Sequence, residues 1–271
     1  MSFIELGGAR IQTLSEGDGT PALVLVHGFG CAHDDWRHQI ERFRHERRVV
    51  AMDLRGHGLS TGQAADCTLE RLALDVAALL QALELRTAVL VGHSMGCRVV
   101  LEAYAHAHER VAGVVLVDGS RLGAQPGDEA KMRQLIESMH YPAFARELFG
   151  EALLPATPAG QAIIERAARL PPELGRTLFS TMVGWDASRM EAALSAVEVP
   201  LAAIQSTYLN PQRKRAHLQP GQSSPWLDLV RRCAPHARIE IVPDAGHFTM
   251  LDAPEAFDRV LDAFLRDLPG A

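Results

Sequence analysis

What this chain lacks narrows it first. No apolar run reaches the roughly eighteen residues that would span a bilayer, and the opening "MSFIELGGAR" shows no basic stretch leading into a long apolar one. A cytoplasmic protein with no membrane partner is expected. Lys and Arg number 27 against 33 acidic residues, for a net charge of -6 and a pI near 6.1. The basic clusters Arg44 to Arg48 and Arg213 to Arg215 are short, so the basic face that a nucleic-acid binder requires is missing. The four cysteines, Cys31, Cys67, Cys97 and Cys233, are scattered and form no Cys-x-x-Cys pair. Neither a zinc knuckle nor a redox dithiol is signalled, and they read as small buried thiols with no metal site between them.

What is present suits a large buried core. The 271 residues are 47% hydrophobic and 22% charged, enough for one domain carrying an insertion. Short β-branched runs alternate with longer stretches of helical period, the pattern of a mostly parallel sheet with helices on both faces. Strands are expected near Phe3 to Leu6, Arg10 to Leu14, Ala22 to Val26, Val49 to Met52, Ala88 to Val91, Val111 to Val117, Leu201 to Gln205 and Arg238 to Val242. The first two should pair antiparallel. Helices are expected at Asp35 to Phe43, Leu69 to Leu83 with Thr68 as cap, Met95 to His108, Pro225 to Cys233 and Pro254 to Leu268. From Asp118 to Pro200 there is helical pattern broken by prolines and no strand-like run. This predicts a helical insertion over 121–197, within a core of 1–120 and 198–271.

One stretch carries chemistry. In "VLVGHSMGCRVV" an apolar strand pattern stops at Gly92-His93-Ser94-Met95-Gly96 and resumes as a helix. Glycines two residues either side of a serine permit a strand-to-helix turn tight enough to push the hydroxyl outward, so Ser94 is the candidate nucleophile. A serine needs a base, and His247 in "VPDAGHFTMLDAPE" follows the last strand, on the sheet end where Ser94 should lie. His27 and His57 read as loop-fixing histidines, and His93 should point away from the Ser94 hydroxyl. The glycine turn in "VHGFGC" follows another strand, so the backbone N–H groups of Phe29 and Met95 are candidates for an oxyanion hole.

These segments together resemble the alpha/beta-hydrolase superfamily over nearly the whole chain. "HGFG" (27–30), "DLRGHGLS" (53–60), "GHSMG" (92–96) and "AGHFTMLDAPE" (245–255) stand in that family's order. The resemblance implies a core sheet of eight strands, a helical cap inserted after the sixth, no cofactor, and a Ser-His-acid triad. It also implies an acid after the seventh strand, where this chain reads "AIQSTYLNPQRKR" without a carboxylate; Thr207, Leu209 and Asn210 occupy the expected places. Some members carry the acid after the sixth strand, which here supplies Asp118 in "VVLVDGSR". Asn210 as a neutral orienter, Asp244 and Asp228 are the alternatives. Asp53 and Arg55 match a segment that fixes loops.

A small-molecule substrate is expected, held by the cap. Candidates for its pocket are Trp36, which either walls the acyl site or packs in the core, and His140, Tyr141 and Trp185, with Phe144, Phe149 and Met182 beside them. The implied activity is hydrolysis of a small carboxylic ester, lactone or thioester through an acyl-enzyme. Carbon–carbon cleavage of a ring-fission product and cofactor-independent oxygenation by a His247–Asp118 pair are rival uses of the same constellation. The cations of "NPQRKR" could steer an anionic substrate or simply be solvated. Oligomeric state is not legible.

Overall fold

The computed structural model describes residues 2–152, 158–210, 212 and 214–269. Strands β1 (Ser2–Leu6), β2 (Ala9–Glu16), β3 (Ala22–Val26), β4 (Val49–Met52), β5 (Ala88–His93), β6 (Val111–Val117) and β7 (Leu201–Gln205) follow one another, then a small hairpin of β8 (Thr207–Leu209) and β9 (Arg215–His217), and last β10 (Arg238–Ile241). The main sheet has eight strands in the order β1-β2-β4-β3-β5-β6-β7-β10. β1 with β2 and β2 with β4 pair antiparallel, and every other neighbour pair is parallel. All residues of β3, β4, β5 and β7 are buried, which is why these strands read as unbroken apolar runs rather than alternating ones: a sheet covered on both faces has no polar side. The eight strands expected from sequence are these eight. The β8–β9 hairpin was not anticipated, because three-residue strands offer no periodicity to detect.

Helices α1 (Arg37–Phe43), α2 (Leu69–Ala82) and α3 (Met95–Ala107) connect the first six strands. The Thr68 side chain accepts the Arg71 N–H at 3.2 Å, capping α2 as its sequence suggested. Between β6 and β7 lie α4 (Asp128–Ser138), α5 (Tyr141–Ala152), α6 (Pro158–Ala168), α7 (Pro172–Ser188) and α8 (Met190–Ser195), the helical insertion. The chain returns through α9 (Pro225–Cys233), α10 (Thr249–Asp252) and α11 (Pro254–Arg266). None of the described helices is long and apolar enough to cross a membrane.

Candidate active site

The carboxyl ends of β3, β5 and β6 and the loops after β7 and β10 converge beneath the insertion. Ser94 sits between β5 and α3 at φ 55°, ψ -111°, a left-handed conformation that costs a non-glycine residue of the order of 1–3 kcal/mol. Its flanking glycines explain how that turn is possible. A Cβ on Gly92 would stand 2.3 Å from the Gly96 carbonyl oxygen, and one on Gly96 would stand 2.4 Å from that of Val26. Only bare backbone lets α3 begin this close to β5 and β3.

His247 Nε2 lies 2.9 Å from Ser94 Oγ. Asp118, at the end of β6 and itself at φ 44°, places Oδ1 3.5 Å from His247 Nδ1. That separation is longer than a good N–H···O bond, and Nδ1 is buried with no hydrogen-bond partner among the described residues. Asp118 is fully buried and already accepts the Thr207 hydroxyl at 2.8 Å, Gln205 Nε2 at 3.0 Å, the Thr207 N–H at 3.2 Å and the Thr249 hydroxyl at 3.4 Å. Burial pushes its carboxyl up to about 6, with Arg215 and the Thr207 hydroxyl pulling the other way. Burial, reinforced by the charges of Arg215 and Arg98, holds the His247 imidazole well below its ordinary range, hence neutral at rest. A neutral Nε2 facing a hydroxyl can take its proton.

Three other histidines near the site are held by backbone hydrogen bonds. His93 Nε2 donates to the His247 carbonyl at 2.9 Å, turned away from the serine hydroxyl. His27 donates from Nδ1 to the Gly28 carbonyl and accepts the Leu54 N–H at Nε2, and His57 donates to the Arg55 carbonyl. Asp53 gathers His33 and Leu59, while Arg55 forks onto Asp75, each fixing a loop. Burial raises the Cys97 thiol to about 12 and that of Cys31 well above its ordinary value, so neither is a thiolate nucleophile.

The alternative orienters are engaged elsewhere or exposed. Asn210 Oδ1 accepts the Gln212 and Lys214 N–H groups, closing the hairpin turn. Asp228 is exposed and pairs with Ser223 and Arg231, and Asp244 is exposed. The turn after β3 passes close to the nucleophile: a Cβ on Gly28 would be 3.2 Å from Ser94 Cβ. Phe29, next in that turn, lines the cavity over Ser94. Met95 opens α3, where a first-turn N–H has no acceptor within the helix.

That cavity measures about 230 Å³ and lies between the strand ends and the insertion, with Phe144, Phe149, Phe179, Met182 and Leu122 among its apolar walls. The four pocket candidates Trp36, His140, Tyr141 and Trp185 are not among its described walls. Trp36 is fully buried against Phe257 and edge-on to His93, so it packs in the core. Tyr141 is buried with its hydroxyl donating to the Ala167 carbonyl, and Trp185 donates to Glu102 of α3 at 3.0 Å. Both hold helices together. His140 is exposed, and its carbonyl receives the N–H groups that begin α5. Phe144, Phe149 and Met182 sit on the inner faces of α5 and α7, a distinction that helical spacing alone does not draw.

Sequence reasoning missed two arginines. Arg98, one turn into α3, forks onto Asp186 of α7 at 2.6 Å from both Nε and Nη2, and reaches the Ser120 and Ser94 carbonyls. A lone cation inside the apolar "GCRVV" was the available signal. Arg215 belongs to "NPQRKR", read as a solvated or steering loop; Arg213 lies outside the described residues and Lys214 is exposed. Arg215 instead lines the cavity: β9 pairs back onto β8, sets it opposite Leu209, and its Nη1 donates to the Thr207 hydroxyl.

Similarity to known proteins agrees with this fold. A family model described as "Alpha/beta hydrolase family" matches residues 23–260. The chain belongs to the alpha/beta hydrolase family. It is 29% identical over 266 residues to the dihydrolipoyllysine-residue acetyltransferase component of an acetoin cleaving system from Pseudomonas putida, covering 97% of this chain and 68% of that one. It is 27% identical over 269 residues to the mouse (Mus musculus) sn-1-specific diacylglycerol lipase ABHD11, covering 93% and 83%. An esterase from Thermogutta terrifontis superposes with a TM-score of 0.80 at 24% identity, over 98% of this alpha/beta hydrolase and 96% of the esterase; that likeness speaks to fold.

Proposed function

We propose that this alpha/beta hydrolase cleaves a small carboxylic ester, lactone or thioester through a covalent acyl-serine. The observation that carries the proposal is the 2.9 Å approach of a neutral His247 Nε2 to the hydroxyl of the strained Ser94 at the cavity floor. Ser94 Oγ adds to the carbonyl carbon while its proton passes to Nε2. The N–H groups of Phe29 and Met95 receive the resulting oxyanion. Collapse expels the alcohol or thiol with the proton from Nε2; water then adds to the acyl carbon, again giving its proton to Nε2, and the acid leaves as Ser94 is restored. Asp118 stabilises the transient imidazolium and holds the tautomer that leaves Nε2 free. A small hydrophobic cavity suits a short acyl group better than a long chain.

The test is turnover of short-chain aryl esters by the parent enzyme and by Ser94→Ala. The variant should lose about six orders of magnitude in kcat, keeping only what binding and the oxyanion hole supply. Full ester turnover in Ser94→Ala would contradict the acyl-enzyme. Oxygen consumption on a heteroaromatic substrate that survives the same change would instead favour the histidine–aspartate oxygenase.

A further inference from the structure

Among the described residues the cavity is lined by two guanidinium groups, Arg98 and Arg215, and by no carboxylate. The two cations are not in the same condition. Arg98 spends Nε, Nη1 and Nη2 on Asp186, the Ser94 carbonyl and the Ser120 carbonyl. Arg215 makes one hydrogen bond among the described residues, from Nη1 to the Thr207 hydroxyl at 2.9 Å, and stands 3.7 Å from Asp118 Oδ1. Asp118 is already taken up by four other donors and by His247. Glu151 is the other acid felt by Arg215, and it is exposed on the far turn of α5.

Arg215 is half-buried at the cavity wall, so its unspent donors open to the cavity and are free to meet a ligand there. Burial accordingly lowers its affinity for its own proton. The same low-dielectric setting strengthens any anion that arrives, and a guanidinium fork matches a carboxylate in shape. Through Asp118 and His247, Arg215 is also only a few contacts from Ser94. We infer that Arg215 is a specificity-determining residue that takes the carboxylate of a substrate which is itself an acid, so the enzyme prefers esters or lactones carrying a free carboxylate over neutral ones. This rests on the acyl-enzyme reading above and names its substrate class.

The test uses matched pairs of aryl esters: monoesters of succinic, glutaric and adipic acid against neutral acyl esters of equal length, and butyrate esters of hydroxybenzoic acid against phenyl butyrate. The expected result is a kcat/KM ratio, acidic over neutral, of roughly ten or more in at least one pair, driven mainly by KM. Arg215→Met should collapse that ratio towards one and Arg215→Lys should restore part of it. An Arg215 that merely supports Asp118 would instead depress both members of every pair alike and leave the ratio unmoved, which overturns the inference. A ratio near one in the parent also overturns it while leaving the esterase reading intact. Should no ester be turned over at all, titration calorimetry decides: pentanoate must bind more tightly than the neutral pentanamide, and Arg215→Met must abolish the difference. Equal binding would sink the inference there too.

Discussion

Arg98 and Arg215 line one cavity and each faces a buried aspartate, yet their pairs are built to opposite designs. In Arg98–Asp186 both carboxylate oxygens are met at 2.6 Å, and the remaining donors end on backbone carbonyls. The pair joins α3, which opens at the nucleophile, to α7 of the insertion, and Trp185 with Glu102 repeats that link. In Arg215–Asp118 the partners stay 3.7 Å apart, and the carboxylate is shared among Thr207, Gln205, Thr249 and His247. A saturated pair fixes geometry. The looser pair leaves Arg215 with donors for a substrate that arrives charged.

The largest effect should come from Asp118→Asn. Keeping the size but offering a donor to Nδ1 favours the wrong imidazole tautomer, and kcat should fall by up to about four orders of magnitude with little loss of stability. A rate within a few-fold of the parent would remove Asp118 from the mechanism. Asp186→Asn should do the reverse. Stranding the buried Arg98 should cost about 3–5 kcal/mol in urea unfolding, and the comparison fails if the loss is below about 1 kcal/mol.

The pH dependence sharpens the contrast. Asp118 is held up to about 6 from its ordinary 3.8, so below that value it is protonated and cannot support the imidazolium. The kcat profile of the parent should fall on the acid side with an apparent pKa near 6, a property of the coupled Asp118–His247 pair. Stability moves oppositely: the folded state keeps a proton that the unfolded chain releases, so the Asp118 contribution to stability drops as pH rises from about 4 to about 6. Comparing parent with Asp118→Asn across that window isolates it, and parallel stability curves would show that the carboxyl is not raised. The smallest effect is expected for Asn210→Ala, whose amide oxygen closes an exposed hairpin turn; kcat should change less than about twofold, and a loss near that of Asp118→Asn would hand it the orienting role.

The sheet was legible because the fully buried strands are apolar except at their carboxyl ends, His93 in β5 and Gln205 in β7, and Ser94 and His247 were legible because chemistry of this kind needs few residue types in few places. Both lie together in the structure, with Asp118 beside them. The cavity walls were not legible. Tyr141 and Phe144 are both aromatic residues on α5, and only packing decides that one reaches the Ala167 carbonyl of α6 while the other meets Phe179 of α7 and faces the cavity. Arg215 was hidden for a related reason: within "NPQRKR" all three cations look alike, and the position of Arg215 on the second of two three-residue strands, too short to show periodicity, sets its place at the cavity.

The central claim is that Ser94 is a nucleophile activated by His247. Incubation with a fluorophosphonate followed by peptide mass mapping tests it without knowledge of the substrate. A single covalent adduct on Ser94 is expected, slowed by several orders of magnitude in His247→Ala and absent in Ser94→Ala. An adduct on any other residue, or labelling of Ser94 at an undiminished rate without His247, would contradict it.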